Sequence, residues 1–378
     1  MWHLENYKNE VGALRLYGKN LTRKEIEARV PDILQICGTR PYELTEGAAR
    51  GTRVVDVDTG ILCYSVVLDR GMDISLTKYK GMNLTHLTEN GEVHPAFYES
   101  RANEWARIFF GGMLTTCGLT YLGPAGMDGC EELGLHGRYS AIPARRVRDL
   151  SEWDGDEYAI ILQGQIDETV QMGTKMRLER SIKSKAGEAV IHIHDVVTNT
   201  GTSEAPFTIL YHINFGFPLL DAGTRILIQS RDSIPFDAYS ESKMERRLQV
   251  EHPKAGALEE NYLCPAAADK NGNGYALMVN DSLMSGIGVY IKSSVGTLPY
   301  FCEWKMLDER DYIVAIEPSN VKCENRSVLR QKGLLPILKP AESKVMDIEI
   351  GVLEGKEQIK ALEKHMAEVI YNGKAVEQ

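Results

Sequence analysis

From about Gly51 onward the chain is written in short runs of alternating apolar and polar residues, broken by Gly, Asn and Asp. Side chains of a strand point to alternate faces, so a period of two specifies strands with one buried face, and the turn residues between them specify tight antiparallel reversals. Residues 53–57, 60–68 and 72–79 read as a first meander. The pattern predicts further strands over 158–165, 176–182, 189–198, 207–214, 225–228, 288–292, 312–317 and 345–353. Few helical stretches separate these runs, which disfavours a parallel βαβ architecture and favours an all-β, mainly antiparallel sandwich.

Two segments depart from the alternation. Thr22 followed by Glu25 is a capping-box signal for a short helix before Pro31. Ile359, Leu362, Met366, Val369 and Ile370 recur at helical spacing over 358–371 and predict one amphipathic helix lying against the sandwich. The expected organisation is an N-terminal extension with a short helix at 1–44, a β-supersandwich at 45–354 and a C-terminal helix at 355–378. No short repeat or low-complexity linker divides the 378 residues further.

The apolar fraction of 43% and charged fraction of 25% are those of a globular chain able to bury a sizeable core. A formal charge of −10 without any basic block argues against nucleic acid as a partner. The first six residues lack the basic start and apolar core of a signal peptide, and nowhere do eighteen apolar residues run together, so a cytoplasmic protein without membrane association is expected. Seven cysteines, an odd number with no C-x-x-C pair, read as buried free thiols. There is no P-loop, no G-x-G-x-x-G after a strand, no H-E-x-x-H and no G-x-S-x-G, and no cofactor is expected.

Three local patterns bear chemistry. In Leu133-Gly134-Leu135-His136-Gly137-Arg138 an imidazole sits between glycines, where few Cβ atoms hinder a ligand's approach, although a turn histidine without any duty looks the same. In the apolar run 209–216, His212 and Asn214 share one strand face, and burying two polar groups without partners costs about 1–3 kcal/mol. A lone strand histidine is nonetheless more often satisfied by carbonyls. In 312–320 the apolar strand ends on Glu317-Pro318, where desolvation would raise the carboxyl toward the range of a general base, unless the strand end simply faces water. Arg70, Asp73, Trp304 and Lys305 are further candidates, as hydrogen bonders for hydroxyls and an aromatic platform. His192 and His194 have the H-x-H spacing of some metal sites, but alternation on a solvent-facing strand explains them as well.

In their order along the chain, the runs at 70–74 (Arg-Gly-Met-Asp-Ile), 111–119 (Gly-Gly-Met-Leu-Thr-Thr-Cys-Gly-Leu), 135–138, 210–216 and 316–318 resemble the galactose mutarotase-like superfamily. They are most similar to its uncharacterised, aldose 1-epimerase-related branch, over roughly residues 30–354. The resemblance implies a β-supersandwich that binds a small-molecule sugar in an open cleft. It implies that His136 binds hydroxyls, that His212 is the general acid and that Glu317 is the general base for interconversion of anomers, with the two groups on opposite sides of one C–O bond. Arg70, Asp73, Arg138, Asn214, Trp304 and Lys305 complete the expected substrate-binding set. The chain departs from well-studied mutarotases in having Arg138 where they carry a second Gly, and in lacking their Asn-Arg pair before the His-Gly motif. Because Arg70, Arg138 and Lys305 offer cations, an anionic sugar stays open. So do two other readings, a non-catalytic carbohydrate-binding or regulatory protein and an epimerase or lyase acting at another sugar carbon.

Overall fold

In the computed structural model, which describes residues 14–372, the alternating runs are strands. The expected extension and C-terminal helix lie outside the described residues at 1–13 and 373–378. A nine-stranded antiparallel sheet runs in the order Arg145–Asp149, Glu157–Thr169, Lys175–Lys185, Val190–Asn199, Ser343–Glu354, Ile287–Ser294, Asn273–Asn280, Arg225–Ile228, with Glu152–Asp154 paired beside Glu157–Thr169. A six-stranded sheet carries the chemistry. Its strands are β1 (Thr115–Leu119), β2 (Thr208–Phe215), β3 (Glu260–Pro265), β4 (Tyr300–Leu307) and β5 (Tyr312–Ser319), in the order β3-β4-β5-β2-β1, with Ile234–Pro235 at the β3 edge. The meander expected at 53–79 is part of a five-stranded sheet.

Alternation sets the layers. In β2 the odd residues Ile209, Tyr211, Ile213 and Phe215 join Leu178, Ile193 and Ile348 of the nine-stranded sheet in the main core. The even residue Leu210 belongs to a second apolar cluster with Trp105, Phe109, Leu122, Leu263 and Leu329. Strand β2 is therefore buried on both faces, with a core behind it and a roof of loop residues in front.

The main core encloses charge. The guanidinium of Arg180, which is fully buried, bridges Asp73 at 3.0 Å and Asp195 at 2.7 Å. Asp73 also accepts from the Thr116 amide and hydroxyl, and Asp195 accepts from the Tyr211 hydroxyl. One buried network thus joins β1 and β2 to both neighbouring sheets.

The capping box forms, with reciprocal bonds between Thr22 and Glu25 at the start of helix Arg23–Glu27. The C-terminal helix, Lys356–Asn372, sets Ile359, Leu362 and Met366 against Tyr275, Leu277 and Val279. No helix among the described residues is long and apolar enough to cross a membrane. All seven cysteines are free thiols, but Cys130 is exposed rather than buried as expected.

Candidate active site

The register of the six-stranded sheet decides what meets. Ile213 of β2 lies opposite Ile316 of β5, which places His212 across from Glu317. Glu317 lies opposite Cys302 of β4, and His212 opposite Thr115 of β1. Directly opposed residues share a face, so the imidazole and the carboxyl emerge side by side on the roofed face. Their Nε2 and Oε1 atoms are 3.0 Å apart. The two groups thus form a cross-strand pair.

His136 arrives from the loop beyond β1. Its backbone is left-handed at φ 57° and Gly137 follows at φ 77°. A Cβ on Gly137 would fall 2.2 Å from the Tyr121 carbonyl oxygen and 2.8 Å from that of Gly118, so only glycine lets the loop close onto β1 there. The loop brings the His136 ring to 6.0 Å from His212, edge to face. Trp105 and Phe109 stack on each other at 4.6 Å, Trp105 lies 4.7 Å from His136, and Phe109 lies 5.1 Å from His212. The Trp304 ring stands edge-on to His212 at 5.5 Å, and its indole N–H donates to Glu259. Under this roof His212 and Glu317 are each 4% exposed, so the expected open cleft is covered here.

Burial controls the proton inventory. It pushes Glu317 up to about 8, since the carboxylate is desolvated. It pushes His212 down to about 3, with help from nearby His136 and against a smaller upward effect of Asn214. His136 falls to about 4 for the same reason. A 3.0 Å contact suits an imidazolium–carboxylate pair or a neutral one, and both shifts favour the neutral pair in the ligand-free site. The Nδ1 atoms of His136 and His212 and the Oδ1 atom of Asn214 are buried without hydrogen-bond partners among the described residues. Such atoms are rare in native interiors and cost about 1–3 kcal/mol each when left unpaired.

Three of the expected substrate-binding residues point elsewhere, and a fourth, Asn214, is engaged through its amide nitrogen. Arg70 is fully buried and its guanidinium donates to the carbonyls of Ser140, Val93 and Ile108. Asp73 belongs to the Arg180 network behind the sheet. Lys305 follows Trp304 in an extended strand and so takes the opposite face, where it pairs with Glu260 at 3.0 Å and reaches the carbonyl of Arg247. The Asn214 amide donates to the carbonyls of Gly111 and His212, which leaves only its Oδ1 beside the site. His136 and Trp304 remain beside the His212–Glu317 pair, and Arg138 follows His136 by two residues.

His192 and His194 lie on the outer face of the nine-stranded sheet, opposite Glu349 and Asp347. Among the described residues no group of three or more His, Cys, Asp or Glu is placed to hold a metal ion. A cavity of about 1140 Å³ lies on that same outer face, lined by His192 and not by His136, His212 or Glu317, and it holds ion pairs such as Lys292 with Glu349 and Lys80 with Glu354.

Residues 49–352 match the family described as Domain of unknown function (DUF4432). The chain belongs to that family. The DUF4432 chain is similar in fold to a protein called a "putative aldose 1-epimerase" from Klebsiella pneumoniae, with TM-score 0.83, 23% identity and coverage of 88% of this chain and 87% of that one. A galactose mutarotase-like protein from Clostridium acetobutylicum aligns with TM-score 0.60 at 15% identity, over 85% and 99% of the two chains. The galactose 1-epimerase of Lactobacillus acidophilus aligns with TM-score 0.51 at 10% identity, over 85% and 100%. No curated protein matches the sequence. The architecture is thus the galactose mutarotase-like fold.

Proposed function

We propose that this DUF4432 protein is a sugar anomerase, an aldose 1-epimerase-like isomerase in which Glu317 is the general base, His212 the general acid and His136 a ligand of the sugar hydroxyls. The observation that carries the reading is the buried His212–Glu317 contact, surrounded by unpartnered nitrogens. The anomeric hydroxyl and the ring oxygen of a hemiacetal sit on one carbon. Acid and base must therefore stand close together, as a cross-strand pair does.

The proton balance closes within the pair. Transfer of the carboxyl proton of Glu317 to Nε2 of His212 gives carboxylate and imidazolium. The carboxylate then takes the proton of the anomeric hydroxyl while the imidazolium protonates the ring oxygen, and the C1–O bond to the ring opens. The pair is returned to the neutral form that burial favours. Rotation about C1–C2 and closure from the other face, with both transfers reversed, give the other anomer. Trp304, Trp105 and Phe109 supply apolar surface for the ring and keep water from the pair.

The test is exchange between anomers of a panel of aldoses, followed by polarimetry for the wild type, Glu317→Gln and His212→Asn. Removal of a positioned acid or base lowers such rates by roughly 10²–10⁴-fold, and a loss of that size is expected for both variants. Sugar binding with exchange no faster than in buffer would instead mark a carbohydrate-binding protein. Conversion to a different sugar would mark chemistry at another carbon.

A further inference from the structure

The cations around the site differ in what occupies them. Arg70 is spent on three carbonyls, Lys305 on Glu260 and carbonyls, Arg180 on two aspartates and Arg247 on Glu303. Arg138 is different. It is partly buried, and among the described residues its guanidinium has neither a hydrogen bond nor a carboxylate within ion-pair distance.

Its position relative to the site follows from its neighbours. The Arg138 amide donates to the Gly118 carbonyl of β1, and the next residue, Tyr139, turns into the main core with its hydroxyl on the Gly71 carbonyl. Two residues earlier, His136 faces His212. Tyr98, whose ring packs in the roofed cluster, donates its hydroxyl to the Gly137 carbonyl. Burial pushes the Tyr98 phenol up to about 12, and the Arg138 charge acts on it in the opposite direction. Glu168 also acts on Tyr98, but its carboxylate already accepts from the Leu119 and Thr120 amides and the Thr120 hydroxyl.

A partly desolvated guanidinium without a counter-ion is costly unless a ligand completes it, and its planar fork matches the two oxygens of a carboxylate or phosphate. We infer that Arg138 binds an anionic group carried by the sugar, so that the substrate is a sugar acid or a sugar phosphate and not a neutral aldose. This rests on reading the roofed face as a sugar site.

The experiment is titration calorimetry of the wild type, Arg138→Met and Arg138→Lys with glucose, galactose, glucuronate, galacturonate and the two hexose 6-phosphates. One charge-assisted contact corresponds to roughly 10–100-fold in affinity, so the wild type should favour a charged sugar over its neutral counterpart by that factor. Arg138→Met should bring the ratio close to one, and Arg138→Lys should keep part of it because the charge survives without the fork. Preference for the uronates assigns a carboxylate, and preference for the 6-phosphates a phosphate. Equal affinity for neutral and charged sugars, a ratio unchanged in Arg138→Met, or binding of none of the six overturns the inference. The affinity ratio needs no turnover. An anomerase reading that failed through unchanged exchange in Glu317→Gln would leave this measurement still decisive.

Discussion

In the proposed reaction a single proton shared by Glu317 and His212 does the work that two separate groups would otherwise need, and the pH dependence follows from counting it. The active tautomer, carboxylate with imidazolium, holds the same one proton as the neutral pair. Catalysed exchange should therefore fall as pH rises through about 8, where the pair loses its proton, and as pH falls toward about 3, where it gains a second. These limits belong to the pair and not to either residue. A catalysed rate that instead climbs steadily above pH 8, once the buffer rate is subtracted, would contradict the scheme.

The same shifts have a stability consequence at these residues. Glu317 ionises near 8 in the folded chain against an ordinary value of 4.5, so the folded state binds more protons in between and loses stability as pH rises through that window. His212 is lowered from 6.5 to about 3, so its contribution is present above 6.5 and is lost as pH falls below it. Thermal melts should show Glu317→Gln more stable than the wild type, by a margin that grows from pH 4.5 to pH 8. A margin independent of pH would mean that the carboxyl is not perturbed as described.

Among the elements, the roof depends on Arg70. Its three carbonyl acceptors lie in three separate stretches that border the site, at Val93, Ile108 and Ser140, and Ser140 in turn accepts the indole N–H of Trp105. Lysine cannot span three acceptors with one planar fork. Arg70→Lys is expected to loosen the roof, seen as faster amide hydrogen exchange over 93–108 with the nine-stranded sheet still protected. Uniform acceleration across the chain would show instead that Arg70 serves the fold at large.

Most strands were legible because alternation survives wherever one face is polar, as in Lys175–Lys185. The expected strands do not include β1, β3, β4 or Asn273–Asn280; β1 is short and buried on both faces and so shows no alternation. The His212–Glu317 encounter was legible only through resemblance. Local sequence places each residue on a strand, but the 3.0 Å contact is a product of register between strands about a hundred residues apart. The roles given to Arg70, Asp73 and Lys305 failed because residue type does not reveal which face a side chain takes. The aromatic residues Tyr98, Trp105 and Phe109, close together in sequence, are the local signal for the roof.

For the molecule as a whole, the Arg180 network decides whether the sheets stay in register. Removing one partner of a buried, hydrogen-bonded ion pair typically costs about 3–5 kcal/mol. Arg180→Met should lower the free energy of unfolding by about that amount in urea denaturation, because Asp73 and Asp195 would be left buried without their cation. A cost below about 1 kcal/mol, the level of an exposed pair, would show that the network is dispensable.

In the proposed reaction one buried imidazole–carboxyl pair moves protons between the two oxygens of an anomeric carbon. Exchange NMR on a C1-labelled aldose resolves the α and β signals directly and reads their interconversion at equilibrium, without coupling to any other reaction. Exchange well above the buffer rate is expected with the wild-type protein, and a return to the buffer rate with Glu317→Gln, while that variant still broadens the sugar signals by binding. Wild-type exchange at the buffer rate for every bound sugar, or full exchange surviving in Glu317→Gln, would contradict it.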